Sequence, residues 1–233
     1  MPVKTILMST ILISLLFINL FGNFPINSEK PFPDRVEISE YQGIKLGSSE
    51  DFRENSIKGV QRIDPISYKL KLDGLVKSEK EYSLTDLEFF DTYKKVVTLN
   101  CVEGWSVTVL WEGIKLEDLF EDTGIAENAN TVIFYAYDGY TTSLPLDFII
   151  DHQIIIADKL NDNTLREENG FPFQLVAEDK WGYKWIKWIT RIELSNDPEY
   201  RGYWESLGYS NKGTYGEPQL ESSTPEYSDP YLK

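Results

Sequence analysis

Cysteine and histidine are almost missing from this 233-residue chain, which has one of each, Cys101 and His152. A single cysteine excludes an intramolecular disulfide, so the fold must stand on its core alone. A single histidine excludes the usual zinc sites, which draw on several His or Cys ligands. Positive charge is scarce as well: 23 Lys and Arg face 38 Asp and Glu, for a formal net charge of −15. A surface of that sign repels phosphate backbones, which excludes a nucleic-acid partner. It also offers no polybasic patch for a membrane. Gly-rich phosphate loops, paired-His metal motifs, nucleophile-elbow serines and C-x-x-C-H haem attachment are all absent from the sequence. No arginine precedes Arg35.

Aromatic residues, by contrast, are plentiful at 14%, with six Trp and 14 Tyr. A disordered chain is poor in these residues, so the body is globular. Residues 5–22 (TILMSTILISLLFINLFG) are apolar and follow Lys4. They predict a signal peptide or membrane anchor over residues 1–24. The cation before the run points to a body on the far side of the membrane, extracytoplasmic and either anchored or secreted. Residues 25–50 are rich in Pro, Ser, Glu and Lys and read as a linker. Residues 51–212 are expected to form one domain. Residues 213–233, with Gly, Pro, Ser and Glu around isolated Tyr, read as a flexible tail.

Within the domain, 66–76 alternates Tyr68, Leu70 and Leu72 against Lys69, Lys71 and Asp73, the pattern of a half-buried strand. Residues 83–90 predict a short helix capped by Ser83. Residues 94–100 form a β-branched strand that delivers Cys101 at its end. Residues 116–124 predict a helix stopped at Gly124. Strands are expected over 131–137, 171–179 and 187–195. Strands outnumber helices, so the fold class is β-rich α+β.

Three features carry possible chemistry. Cys101 in LNCVEGW is either a small buried hydrophobe or, as a thiolate, a nucleophile or soft metal ligand. No feature ties His152 to it, and His152 reads as a surface or helix-end residue. The segment DKWGYKWIKW (179–188) packs three Trp and three Lys around Gly182. It is either a turn whose Lys stems cover aromatic faces or an anion clamp in which Lys184 and Lys187 hold a phosphate. YAYDGYTTSLPL (135–146) is either an ordinary hairpin or a pocket-lining loop, with Tyr137, Asp138 and Tyr140 as candidates.

The segments TLNCVEGWSVTVLWEGIKLEDLF (98–120), DGYTTSLPL, NGFPFQLVAEDKWGYKWIKWITRIEL (169–194) and YRGYWESLGYS (200–210), in that order, resemble the sulfite-oxidase-like molybdopterin-binding family. Within it the pattern is nearest to periplasmic methionine-sulfoxide reductase catalytic subunits and their short homologues. The resemblance implies a single-domain sulfite-oxidase-like molybdopterin-binding fold and a molybdenum–molybdopterin cofactor. It implies that the Cys101 thiolate binds the metal and is the catalytic residue. It also implies cofactor contacts from Arg53, Asn55, Ser56, Asn169, Gln174, Gly182, Tyr183, Lys184 and Lys187. Two positions depart from the sulfoxide-reductase pattern: Gln174 stands in place of an arginine and Ala136 in place of a threonine.

The implied activity is oxygen-atom transfer to or from a small oxo substrate, either sulfoxide reduction or sulfite-type oxidation. Electrons would be exchanged with a separate partner, a membrane haem protein or another redox protein. Two rival readings remain at this level. One is an extracytoplasmic, aromatic-rich binding module without catalysis, and the other is a thiol-dependent enzyme.

Overall fold

Runs of Val, Ile, Leu and aromatic residues favour extended chain wherever they alternate with polar residues or fill a two-faced core. A computed structural model describes residues 36–221 of the chain, and these belong to one compact unit. The expected signal or anchor over 1–24, the first part of the expected linker and residues 222–233 lie outside the described residues. Among the described residues, no helix is long and apolar enough to cross a membrane.

The strands are β1 (Glu40–Tyr41), β2 (Ile44–Lys45), β3 (Leu70–Gly74), β4 (Lys80–Tyr82), β5 (Tyr93–Asn100) and β6 (Ser106–Lys115). They continue with β7 (Thr131–Ala136), β8 (Thr141–Pro145), β9 (Ile155–Leu160), β10 (Asn163–Thr164), β11 (Gln174–Val176) and β12 (Ile189–Ser195). Four short helices intervene: α1 (Leu84–Leu87), α2 (Leu116–Thr123), α3 (Leu146–Asp151) and α4 (Tyr203–Ser206). The β-rich α+β expectation therefore holds. Ser83 caps α1 in a reciprocal box with Asp86, and Gly124 ends α2 at φ 70. His152 is the C-cap of α3 and stacks on Phe148, a helix-end residue as its context suggested.

Two five-stranded sheets and the small β1–β2 hairpin carry the architecture. The first large sheet runs β10-β9-β6-β5, with β11 also on β9, and every pairing is antiparallel. The second runs β4-β3-β12-β7-β8. Its centre, β12, is parallel to β3 and antiparallel to β7, so Ile192 stands between Leu72 and Phe134. All three side chains are fully buried. Asp73 on β3 is buried too, and Arg191 Nε donates to both its carboxylate oxygens at 2.9 Å. Burial alone would raise the Asp73 carboxyl, but hydrogen bonds from Arg191 and Lys71 hold it below the usual carboxylate range.

Strands β6 and β9 were not anticipated. Every residue of β6 from Val109 to Ile114 is buried, so this stretch shows no alternation, and Gly113 inside it reads as a breaker. The glycine instead permits a close approach. A Cβ at Gly113 would stand 2.0 Å from the Ile156 carbonyl oxygen on β9, next to a register shift at Glu112/Gly113. The strand expected over 171–179 shrinks to three residues, because Pro172 has no N–H to pair and Asp179 turns the chain at φ 62.

Two boundaries also move. Residues 36–50 are not a loose linker. Gly47 N–H donates to the Thr108 carbonyl on β6, and Glu37 accepts from Ser49 N–H and from Asn161 Nδ2. Residues 213–221 are not a loose tail. Trp181 N–H donates to Gly213 O at 2.7 Å, Tyr215 N–H to Asp179 O at 2.9 Å, and Glu221 pairs with Arg201. Polar and glycine-rich composition signals irregular backbone, and here that backbone is tied down by hydrogen bonds. Replacing Gly113 by Ala should lower stability by roughly 2–3 kcal/mol through the forced backbone shift, read as a lower urea midpoint. An unchanged midpoint would show that β9 yields freely.

Candidate active site

Cys101 is the first residue of the β5–β6 hairpin loop. Its N–H donates to Trp105 O at 2.9 Å and its carbonyl accepts from Gly104 N–H at 3.1 Å. Gly104 closes this loop at φ 86, where L side chains are strained. The hairpin holds Cys101 at the mouth end of its strand, buried to 8% exposure, in the wall of a cavity of about 210 Å³.

The 180s segment lies directly against this strand end. Asn100 and Trp181 form an isolated parallel bridge, and a 3-10 turn follows over Gly182–Lys184. A Cβ at Gly182 would stand 3.3 Å from both the Asn100 carbonyl and the Cys101 Cα, so glycine lets this turn close over the cysteine. A third segment enters through Phe52, which packs edge-on against Trp105 at 6.2 Å and Trp111 at 5.8 Å. That contact sets Arg53, Asn55 and Ser56 beside Cys101. A fourth, the turn over Glu167–Asn169, is tied to Trp188 by its indole N–H on Glu167 O at 2.8 Å, which places Asn169 in the cavity.

Of the ten cofactor contacts expected from the sequence, nine line this one cavity: Arg53, Asn55, Ser56, Cys101, Asn169, Gln174, Gly182, Tyr183 and Lys187. Lys184 does not. Its side chain is fully buried, and its ammonium is bonded to Glu205 Oε1 at 2.5 Å and to Ser143 O at 3.1 Å. The structure thus places the Lys184 ammonium, expected to meet a phosphate, on the far side of the turn from the cavity. Asp138 and Tyr140 line the cavity, while Tyr137 points away and is 59% exposed. The 135–146 segment is thus both a hairpin, β7–β8, and a pocket-lining loop. Ala136 is buried but is not in the lining.

Several lining residues were missed. Trp105, Trp185, Trp188, Trp204 and Tyr209 supply much of the apolar wall. Aromatic abundance was visible in the sequence, but which rings converge depends on long-range pairing. Trp188 carries a further mark, because it sits at φ 54, strained backbone for a bulky residue, and it lines the cavity. Glu103 was also missed. It accepts from Asn55 Nδ2 at 3.2 Å and from Trp105 Nε1 at 3.1 Å at the rim.

The electrostatics suit a ligand that brings its own charge. Burial pushes the Cys101 thiol up, and the Glu103 charge adds to this, against the backbone amides of Glu103 and Val102 and the Arg53 charge. A bound metal would reverse that balance by holding the thiolate outright. Burial lowers Lys187, while its partner Glu54 at 3.3 Å works against that shift. Ser56 Oγ is buried with no hydrogen-bond partner, which leaves an acceptor and donor for a polar group in the cavity. Among the described residues, no group of three or more His, Cys, Asp or Glu gathers to hold a metal, so the protein's own offer is one soft thiolate in a polar-edged aromatic cavity. These residues fit a metal carried by an organic cofactor.

Such a site on a β-rich fold defines a cofactor-dependent oxidoreductase. The chain belongs to the oxidoreductase molybdopterin-binding domain family, whose model matches residues 57–204. Molybdenum–molybdopterin is accordingly its cofactor. It is 32% identical over 151 residues to the uncharacterized oxidoreductase YuiH of Bacillus subtilis (strain 168), covering 64% of this chain and 76% of that protein. It is 25% identical over 217 residues to the protein-methionine-sulfoxide reductase catalytic subunit MsrP of Campylobacter jejuni, covering 84% and 73%. In fold it is similar to the sulfane dehydrogenase SoxCD from Paracoccus pantotrophus, with a TM-score of 0.57 at 21% identity. That likeness covers 59% of this chain and spans 40% of the SoxCD chain.

Arg53, Asn55 and Ser56 precede the matched residues, so their part in the site rests on the cavity. Ser56→Ala should act in two directions. Removing an unpartnered buried hydroxyl should leave the cofactor-free protein as stable or about 1 kcal/mol more stable, while lowering pterin retention. Thermal melts and pterin fluorescence measure the two, and unchanged retention would remove Ser56 from the site.

Proposed function

We propose that this chain reduces a sulfoxide-type S=O group by oxygen-atom transfer at a molybdenum held by Cys101, with electrons supplied by a separate redox protein. The observation that carries this reading is the convergence of four distant segments on one thiol, with cations and an unpartnered hydroxyl in the same cavity. When bound, the molybdenum–pterin group supplies two-electron oxygen-atom chemistry, and the net reaction is sulfoxide plus two electrons and two protons giving sulfide and water.

The protein's part is to bind, orient and exclude water. Cys101 offers the thiolate. Arg53 and Lys187 offer positive charge to the cofactor's anionic end, while Asn55, Ser56, Asn169 and Gln174 offer hydrogen bonds. Gly182 and Tyr183 present backbone at close range. Trp105, Trp185 and Trp204 keep the surroundings apolar. His152 has no place in the lining, so the reading assigns no step to it.

Charge favours a neutral substrate over an oxyanion. Glu103, Asp138 and Glu168 line the cavity alongside Arg53 and Lys187, and Lys187 already answers Glu54. With Arg53 and Lys187 matched to the cofactor's anionic end, the carboxylates that remain favour a neutral substrate over a sulfite dianion. MsrP, the methionine-sulfoxide reductase catalytic subunit, aligns over most of this chain, which supports the same substrate class. Gln174, standing where that branch has an arginine, points to a different shape of substrate at that wall.

In this reading electrons come from another protein, a membrane haem protein. The apolar segment at 1–24 would place the domain at the outer face of a membrane.

The test is metal analysis followed by turnover. Protein made in a molybdopterin-competent host should hold about one molybdenum per chain, and Cys101→Ser should lose it and at least about 1,000-fold in rate, since the metal does the chemistry. Reduced viologen should drive sulfoxide reduction. A metal-free, pterin-free protein would favour the binding-module reading, and sulfite oxidation without sulfoxide reduction would reverse the substrate class.

A further inference from the structure

Lys184 stands between two residues that line the cavity, Tyr183 and Trp185, yet it faces away from it. Its side chain and that of Glu205 are both 0% exposed and meet at 2.5 Å. Glu205 Oε1 also accepts from Thr142 Oγ1 at 2.6 Å, and the ammonium donates to the Ser143 carbonyl. The cluster thus joins three segments: β8, the turn after Trp181, and α4. Each segment carries cavity wall next to its member of the cluster, namely Tyr140 ahead of β8, Tyr183 in the turn and Trp204 in α4. Tyr140 reinforces the joint, its hydroxyl donating to the Tyr183 carbonyl.

The backbone is closed tightly around the pair. A Cβ at Gly213 would stand 2.7 Å from Lys184 Cγ, and one at Gly202 would stand 2.2 Å from the Thr141 carbonyl and 2.7 Å from Glu205 Oε2. Two glycines at such approaches show a pair built into the wall. Burial lowers the Lys184 ammonium and the Glu205 charge opposes that shift. Turning the lysine toward the cavity would leave the buried carboxylate with only the Arg201 charge, itself paired with Glu221, a strongly unfavourable state.

We propose that Lys184 and Glu205 are positioning residues: a buried ion pair that clamps the Tyr140–Tyr183–Trp204 wall of the cofactor cavity, with Lys184 contributing no charge to the cofactor itself. The proposal rests on reading this cavity as the pterin site. Binding of the cofactor's anionic end then falls to Arg53 and Lys187.

A charge-removal cycle tests it in the full chain. In Lys184→Met and in Glu205→Gln, one member of the pair is left uncompensated, and the melting temperature should fall by roughly 6–12 °C. Pterin content should fall with it, and Cys101 in pterin-free protein should react about tenfold faster with a maleimide as the wall opens. The double variant K184M/E205Q removes both charges and keeps an acceptor for Thr142. It should return the melting temperature to within about 3 °C of the parent, and pterin content and the Cys101 reaction rate to within about twofold, because an apolar or neutral replacement of a whole buried pair is tolerated. A double variant that recovers its melting temperature and its slow Cys101 reaction yet stays as pterin-poor as K184M would overturn the proposal and return Lys184 to the cofactor. If the single variants do not accumulate, the double variant against the parent decides by the same two outcomes. A parent without pterin would sink the reading of the cavity, while the Cys101 reaction rates would still judge the clamp.

Discussion

The site depends on a close backbone approach. The turn that starts at Gly182 lies against Asn100 and Cys101 so tightly that a single methyl group would be in contact with both. Because the approach is made by backbone, it fixes the cysteine's position without using a side chain. That contact and the Asn100–Trp181 bridge beside it start the run of lining residues from the 180s, with Tyr183 held further by Tyr140 and Ser210 and Trp188 by Glu167. The hairpin loop supplies the other half, since Gly104 at φ 86 turns the chain back at once and keeps Cys101 at a strand end rather than on a mobile loop.

Charge is handled the same way, by commitment rather than by abundance. In a chain with a large excess of acid, the two lysines of the 182–188 segment have different destinations. Lys184 is sealed against Glu205, and Lys187 reaches the cavity with Glu54 and the Glu168 carbonyl as partners. A fully buried lysine requires a partner, so its role could not be set by the segment in which it occurs. The partner comes from α4, 21 residues away.

This separates what was legible in the sequence from what was not. Local chemistry was legible: the Ser83 cap, the Gly124 stop, the Asp138-Gly139 turn and the strand ending at Cys101 all follow from short-range rules. A place in the cavity lining was legible for residues whose motif fixes backbone position, such as Gly182 and Asn169. Strands β6 and β9 were hidden because burial on both faces erases alternation, and Gly113 looks like a break until β9 is seen pressed against it. The direction of the Lys184 side chain was hidden because it depends on Glu205. The packing of 36–50 and 213–221 was hidden because its hydrogen bonds and ion pairs join residues far apart in the sequence, which composition does not report.

Those two flanks bear on function. The family match spans residues 57–204, and within it lie Cys101, the Gly182 turn and the Asn169 turn. The cavity is not complete without what lies on either side. Phe52, Arg53, Asn55 and Ser56 enter from before it, and Tyr209 from after it, together with the carboxylate of Glu205. The aromatic edge of Phe52 on Trp105 and Trp111 is what brings the first group in. The Tyr183 hydroxyl, donating to Ser210 O at 2.8 Å, holds the second. A pterin in this cavity would therefore meet the matched middle, through Cys101, Asn169 and Gly182, and the earlier flank as well, through Arg53, Asn55 and Ser56.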